Sequence, residues 1–422
     1  MGTVTSAEPQ AVNIIGAGLA GSLLAILMAR RGFRVTVYEK RGDPRLAAVD
    51  SGRSINLALA ARGIRGLERA GVLERVMPLT IPMRGRMVHE HDGLADLQPY
   101  GVRPEEVIYS VSRAALNRVL IEAADEFENV ELQFGKQALR LSDDATRVEL
   151  LDPSSGRSFY PQKGPTIATD GAGSEVRKGL EWLGVTRVRE ELLEHDYKEL
   201  TIPAVHSRHA LEPNALHIWP RGGFMLIALP NLDGSFTATL FLAKQGPDSF
   251  EQMKSASEVD TFFSREFPSA RALMPDLTRE FFENPQGLLG TVHTDRWHMH
   301  GDLLLLGDAA HAIVPFHGQG MNCAFEDCVE LDLLLEQSRE WPEVFARFEH
   351  ERKPNTDAIA AMALENYVEM RATVLDPDYQ EKKKAAETRE KSDPSVIPRY
   401  SMVMFHPEIS YAEARRRGGG GH

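Results

Sequence analysis

Cysteine is nearly absent from the chain. There are two, Cys323 and Cys328, and both fall on what reads as one helix. There their side chains diverge and neither bridge nor chelate easily, so a reducing, cytoplasmic compartment is expected. Positive charge is also short: 48 Lys and Arg face 61 Asp and Glu, a net charge of −13. That balance repels phosphate backbones and anionic lipid surfaces, which argues against nucleic acid or a membrane as partner. No apolar run is long enough to span a bilayer, because Ile14–Met28 is interrupted by glycines and Leu303–Phe316 by Asp308 and His311. The amino terminus MGTVTSAEPQ lacks the basic segment of a secretory signal, and residues 413–422, ending GGGGH, read as a tail or tag remnant. What the chain has in quantity is apolar residue, 42% of 422, enough for two or three domains with a large core.

The segment Ala11–Lys40, AVNIIGAGLAGSLLAILMARRGFRVTVYEK, opens with a short apolar strand and turns through glycines. It then runs as an Ala/Leu-rich helix, breaks at Gly32 and re-enters a β-branched strand, which makes a βαβ unit. Ser112–Phe127 places apolar residues at helical spacing with Ser112 positioned as a cap, while Val130–Phe134 and Arg147–Leu151 alternate as strands. Between about residues 190 and 244 the texture becomes strand-rich: LTIPAV, ALHIWP, GFMLIALP and SFTATLFLA are separated by Pro, Gly and Asn turns. A second, β-sheet domain follows from this. An α/β texture is expected to return near Leu288, and helix should predominate from Phe325 to Leu375. Gln380–Asp393 reads as a solvated charged stretch.

Three turns carry the chemistry. Gly16, Gly18 and Gly21 fit G-x-G-x-x-G between a strand and a helix. The first permits the tight turn, the second lets backbone N–H groups approach a pyrophosphate, and the third lets helix and strand pack closely. Glu39 ends the second strand, where a carboxylate would accept hydrogen bonds from a ribose diol. Far along the chain, Leu303–Leu306 delivers Gly307 and Asp308 to a strand's carboxyl end, where open α/β sheets bind ligands. Asp308 would accept a hydrogen bond from a ribityl hydroxyl, which a flavin has and a nicotinamide dinucleotide lacks. Gly318-Gln319-Gly320-Met321-Asn322 then opens a helix whose free N–H groups stabilise negative charge on a reduced flavin ring. The third turn, Ala168-Thr169-Asp170-Gly171-Ala172-Gly173-Ser174, follows another apolar strand start, with Arg177 shortly after.

Together these turns resemble the single-component, FAD-dependent aromatic hydroxylases. Within that group, SGRSINLALAARG at Ser51–Gly63, PMRGRMVH at Pro82–His89, QPYG at Gln98–Gly101, LHIWPRGGFMLIALPN at Leu216–Asn231, PFHGQGMNCAFEDC at Pro315–Cys328, ENYVEMR at Glu365–Arg371 and RYSMVMF at Arg399–Phe405 are similar to the kynurenine 3-monooxygenase family. The resemblance runs from about residue 11 to 412. It implies an α/β fold: a Rossmann-like FAD-binding domain (1–85, 102–189 and 288–340), an inserted substrate-binding β-sheet domain (86–101 and 190–287) and a C-terminal helical region (341–412). It implies bound FAD, NADPH and O₂ as co-substrates, and hydroxylation of L-kynurenine to 3-hydroxy-L-kynurenine in tryptophan catabolism. A homodimer is compatible with it.

Carried over residue by residue, the resemblance assigns the substrate carboxylate to Arg86 and Tyr100 and further polar contacts to Asn366 and Tyr400. Leu216, Met225, Ile227, Leu229 and Phe241 form an apolar wall, and Phe316, His317 and Met370 lie beside the ring to be oxidised. Cofactor contacts fall to Gly16, Gly18, Leu19, Ala20, Gly21, Glu39, Lys40, Arg41, Ala58, Arg113, Asp170, Asp308, Gly320, Met321 and Asn322. No catalytic base is required, since the aniline nitrogen already donates electrons into the ring. No metal is expected either: His311 and His317 lack a partnered carboxylate and sit at poor ligand spacing.

Read without the resemblance, Arg86 is a surface salt-bridge former and the alternating wall residues are ordinary strand core. Two other readings stay open. One is a related FAD monooxygenase acting on another aryl amino acid or a phenol. The other is a cofactor-free binding module on the same fold, which would need neither Asp308 nor a complete GQGMN turn. A flavin halogenase would carry a W-x-W-x-I-P segment, and only Trp219-Pro220 comes near it.

Overall fold

The computed structural model describes residues 10–46, 56–371, 381, 385, 388, 392, 393 and 395–418. Ser51–Ile55 of the SGRSINLALAARG segment, most of Gln380–Asp393 and the last four residues lie outside them.

Ala11–Ile15 is buried along its whole length, as a strand covered on both faces must be, and it sits at the centre of a six-stranded sheet. Arg34–Glu39 and then Val130–Phe134 flank it on one side. Thr166–Ala168, Leu303–Leu305 and the two-residue strand His298–Met299 follow on the other. All pairings are parallel except the last, which is antiparallel. The parallel arrangement has a direct consequence for function. Gly16, Glu39, Asp170 and Asp308 follow or end four neighbouring strands, so all four are delivered to one edge of the sheet. The helix Leu19–Arg30 packs behind this edge with residues 21 through 29 buried. The helix Arg113–Asp125 starts at Ser112, whose hydroxyl accepts from Ala115 N at 3.4 Å.

The strand-rich region builds a seven-stranded sheet in the order Gln286–Thr294, Val188–Ile202, Phe236–Ala243, Met225–Pro230, Leu216–Pro220, Gly85–His89, Ala95–Pro99. Its two faces divide by strict alternation. Leu226, Ala228, Ala238, Leu240 and Leu242 pack with Trp219 against the helices Ala256–Glu266 and Leu277–Glu283 in one core. Met225, Ile227, Leu229 and Phe241 face the opposite way, toward the C-terminal helices. The sheet also extends further than the sequence texture implies. Gln286–Thr294 pairs with Val188–Ile202 rather than rejoining the α/β layer near Leu288, and the chain returns to the parallel sheet only at His298. The physical reason is the 15-residue length of Val188–Ile202, whose second edge needs backbone partners that Phe236–Ala243 on the first edge does not supply.

Helix begins at Gly320, ahead of the expected Phe325. Gly320–Gln337 is followed by the 31-residue Trp341–Arg371, which continues through Pro354, and by Arg399–Phe405 and Tyr411–Gly418. Met362, Met402, Val403 and Tyr411 share a buried cluster with Met83, Ile108 and Leu229, so the C-terminal helices close over the seven-stranded sheet and over a three-stranded one in the order Asn56–Leu59, Ile108–Ser112, Thr80–Met83.

Candidate functional site

Each glycine of the first turn has a distinct spatial reason. Gly16 adopts φ +104°, and a Cβ there would stand 2.7 Å from Thr169 O; at Gly21 it would stand 1.9 Å from Gly16 O. Gly18 differs, because no protein atom lies within 4 Å of where its Cβ would be. A turn that is tight behind and clear in front is the cradle a pyrophosphate needs to reach backbone N–H groups. Thr169 Oγ1 pins the turn from the neighbouring strand, donating to Ile15 O and Gly16 O at 3.0 and 2.9 Å. Burial acts to raise the pKa of Glu39. Its hydrogen bonds from Arg41 Nε (2.8 Å), Arg41 N (2.9 Å) and Ala17 N (2.9 Å) outweigh this and hold it below the usual carboxylate range. Lys40 and Arg41 are exposed, and the Arg41 guanidinium turns back onto Glu39 rather than into the cleft.

The Asp170 turn corrects an expectation. The Asp170 carboxylate accepts from Ser174 Oγ (2.6 Å) and Glu175 N (2.9 Å), so it caps the helix Glu175–Trp182 instead of facing the cavity. Burial raises its pKa. The residues of this turn that line the cavity described next are Thr169, Gly171 and Ala172. Arg177, 1% exposed, joins this turn to the next by donating to Ala309 O at 2.9 Å and Asp308 O at 3.5 Å.

The turns border one cavity of about 430 Å³. Gly18, Leu19, Ala20, Ala58, Arg113, Asp308, Gly320 and Met321 line it, together with Arg86, Tyr100 and Tyr400. Leu216, Met225, Ile227, Leu229 and Phe241 form its apolar wall, and Phe316, whose ring lies 5.0 Å from that of Phe241, lines it with His317 and Met370. The glycine clearances, the acceptor Asp308 and the cavity that the turns share fit FAD.

Arg86 and Leu216 are register partners on parallel strands, which sets the guanidinium beside the apolar wall. The Arg86 guanidinium lies 4.9 Å from the Tyr400 ring centre and 5.9 Å from that of Tyr100, and the two tyrosine rings stack at 5.8 Å. His317 also stacks on Tyr400, at 5.4 Å. Burial raises the pKa of both tyrosines, so both hydroxyls remain protonated donors.

The side chains of two expected contacts act elsewhere. Asn366 donates to Phe316 O at 2.6 Å and to Met370 Sδ at 3.3 Å, which holds the loop bearing Phe316 rather than lining the cavity. Asn322, fully buried, accepts from Ala60 N (2.9 Å) and donates to Ala58 O and Gly318 O (both 2.8 Å). Its amide is consumed in joining two loops. Conversely, Tyr197, Glu199, Thr237 and Thr239 line the cavity without any motif to announce them. Their signal was alternation: Thr239 and Thr237 pair with Ile227 and Leu229 and share their face. Burial raises the pKa of Glu199 while Arg113 opposes it.

His311 does have a carboxylate partner, contrary to expectation, because folding brings Asp327 Oδ2 to 2.6 Å from its Nε2. His311, Cys323 and Asp327 form the one trio of metal-ligating type among the described residues. The Arg352 guanidinium already supplies the positive charge there, 2.8 Å from Asp327 Oδ1.

Two buried histidines give a pH prediction. Burial pushes His317 down to about 3, and burial together with His217 pushes His89, stacked 4.1 Å from Trp219, down to about 3. Both are neutral in the fold, so their stabilisation is full above the unfolded value of 6.5 and is lost as pH falls from there toward 3. Together they should remove roughly 4 kcal/mol of apo-protein stability between pH 7 and 5. Urea unfolding at the two pH values measures this, and His89→Gln should halve the difference. Equal stability at both pH values would contradict it.

The chain matches the FAD binding domain family model over residues 10–363. It is 47% identical over 410 residues to the kynurenine 3-monooxygenase of Stenotrophomonas maltophilia, covering 97% of this chain and 90% of that one. It is 46% identical over 413 residues to that of Myxococcus xanthus, covering 95% and 87%. Among solved structures, 2-methyl-3-hydroxypyridine-5-carboxylic acid oxygenase superposes with a TM-score of 0.71 at 19% identity, over 88% of this chain and 95% of that one. Pseudomonas aeruginosa PqsL in complex with 2-aminobenzoylacetate gives 0.68 at 22%, over 87% and 99%. The solved structures agree on the FAD monooxygenase fold. The curated relatives decide the rest: this chain belongs to the kynurenine 3-monooxygenase family.

Proposed function

We propose that the chain binds FAD and uses NADPH and O₂ to hydroxylate L-kynurenine, releasing 3-hydroxy-L-kynurenine, NADP⁺ and water. One observation carries this reading: a single cavity is lined by the cofactor turns, by Arg86 with two tyrosine rings beside it, and by an apolar wall. FAD, when bound, accepts a hydride from NADPH and activates O₂ for transfer of one oxygen atom to the ring.

The protein's share is positional. Arg86 pairs with the substrate carboxylate, and the protonated hydroxyls of Tyr100 and Tyr400 add neutral donors. Leu216, Met225, Ile227, Leu229 and Phe241 hold the aniline ring flat and keep water off it. Phe316, stacked at 3.9 Å on Tyr367 and anchored through its carbonyl by Asn366, fixes the opposite side. His317 is neutral, so it adds no charge to repel or divert the ring. The aniline nitrogen activates the position ortho to it, which leaves no substrate proton that a base must remove first.

Occupancy of Arg86 and Tyr100 should license cofactor reduction, since every true substrate makes those contacts. Stopped-flow mixing with NADPH should therefore show fast bleaching with L-kynurenine and slow bleaching without it. Equal rates would refute the coupling. The purified protein should be yellow, and NADPH consumption should follow addition of L-kynurenine and not of 4-hydroxybenzoate. Turnover of the phenol instead would favour a related hydroxylase, and a colourless protein that does not take up FAD would favour a binding module.

A further inference from the structure

The turn that carries Asp308 is gripped from both sides by buried ions. Gly307 adopts φ +63°, so the backbone reverses sharply before Asp308. Arg177 holds the carbonyls that follow. On the other side Asp327, 0% exposed, receives Gly307 N at 3.2 Å and His311 Nε2 at 2.6 Å on one oxygen. Its second oxygen receives Arg352 Nε at 2.8 Å. A buried carboxylate keeps its charge only when surrounded by such donors, and here three converge on it.

We propose that Asp327, held in place by Arg352, is a positioning residue for the flavin half of the cofactor, fixing the Gly307–Asp308 turn through Gly307 N–H and His311. The proposal rests on the FAD reading above. Asp327 comes from the helix Gly320–Gln337 and Arg352 from Trp341–Arg371, so one side of the turn is set by these helices, as the other is by Arg177. The network continues outward. Arg352 Nη1 pairs with Glu326 at 2.7 Å, and Glu326 also pairs with Arg62, whose guanidinium lies 3.9 Å over the Tyr411 ring. The Tyr411 hydroxyl donates to Gln319 of the GQG turn at 2.7 Å. Both flavin-side turns are thereby tied to the last helices, whereas the pyrophosphate turn at Gly16–Gly21 has none of these ion pairs and meets the helix Gly320–Gln337 through the weaker Cys328 Sγ, which donates to Ala20 O at 3.4 Å.

That division supplies the test. Apo-protein is titrated with FAD and, separately, with ADP, which carries only the adenosine and pyrophosphate half. Asp327→Asn should raise the FAD dissociation constant about tenfold, the equivalent of one charge-assisted hydrogen bond, and leave that of ADP within about twofold. His311→Leu, which keeps the Asp327–Arg352 pair, should shift FAD in the same direction. His311→Gln, whose amide still donates to Asp327, should restore binding. If Asp327→Asn does not fold, the His311 pair decides by the same comparison. FAD and ADP weakened alike would show a merely structural role, and no change in either would show that the turn holds itself; both outcomes overturn the proposal. A wild-type protein that binds neither nucleotide would sink the FAD reading instead.

Discussion

Arg86→Ala is expected to weaken L-kynurenine binding by roughly 2–5 kcal/mol, the range for truncating one partner of a buried, hydrogen-bonded charge pair. The size follows from the surroundings. Tyr100 and Tyr400 flank the guanidinium with stacked rings, and burial keeps both hydroxyls protonated, so neither supplies positive charge when Arg86 is gone. The carboxylate would then be desolvated without the guanidinium that lies over these two rings. Arg86→Lys should recover only part of the loss, because an ammonium cannot form the two parallel hydrogen bonds of a guanidinium. Fluorescence or absorbance titration of the FAD-loaded protein measures the dissociation constant. A value unchanged in Arg86→Ala would place the substrate's acid group elsewhere.

The second large effect separates two glycines three positions apart. Gly21→Ala should compromise folding itself, since its Cβ would stand 1.9 Å from Gly16 O and 2.5 Å from Thr169 Oγ1 with no flexible neighbour to give way in the first case. Gly18→Ala meets no protein atom within 4 Å, so the apo-protein should melt at the wild-type temperature. Its methyl group instead projects into the space a pyrophosphate requires, and FAD affinity should fall by at least about tenfold, or ~1.4 kcal/mol. Thermal melts with and without FAD distinguish the two. Gly18→Ala should lose the stabilisation that FAD confers on the wild type. Full retention of that stabilisation would mean the nucleotide does not cross this turn.

Much of the architecture was legible because it depends on neighbours in sequence. The βαβ unit from Ala11 to Lys40 is announced by glycine placement and by a change of apolar period. Ser112 caps its helix from the adjacent position. The strand Val130–Phe134 has the bounds its alternation implies. Misreadings cluster where partners are distant. Gln286–Thr294 looks like α/β texture until it is seen to pair with Val188–Ile202. Asn366 sits in a motif that resembles a ligand contact, yet its amide is used up on the Phe316 carbonyl; the Asn322 side chain is likewise used up on Ala58, Ala60 and Gly318, which leaves the expectation for the N–H groups of its helix untouched. Asp170 was correctly located at a strand end, but which way its carboxylate turns depends on the free N–H groups of the helix beginning just after it.

By itself, the sequence determined where the cofactor turns fall and which strands carry an apolar stripe, because glycine conformation and side-chain alternation are local properties of the backbone. It could not determine which stripe faces the cavity. Met225, Ile227 and Leu229 alternate no differently from Leu226 and Ala228, and only the packing of helices on one face and the C-terminal segment on the other separates lining from core. Nor could it pair Asp327 with Arg352 or Glu326 with Arg62, since a buried charge is tolerated only where a counter-charge arrives from elsewhere in the fold. That arrival is an outcome of tertiary structure, and it is what closes the site around both turns.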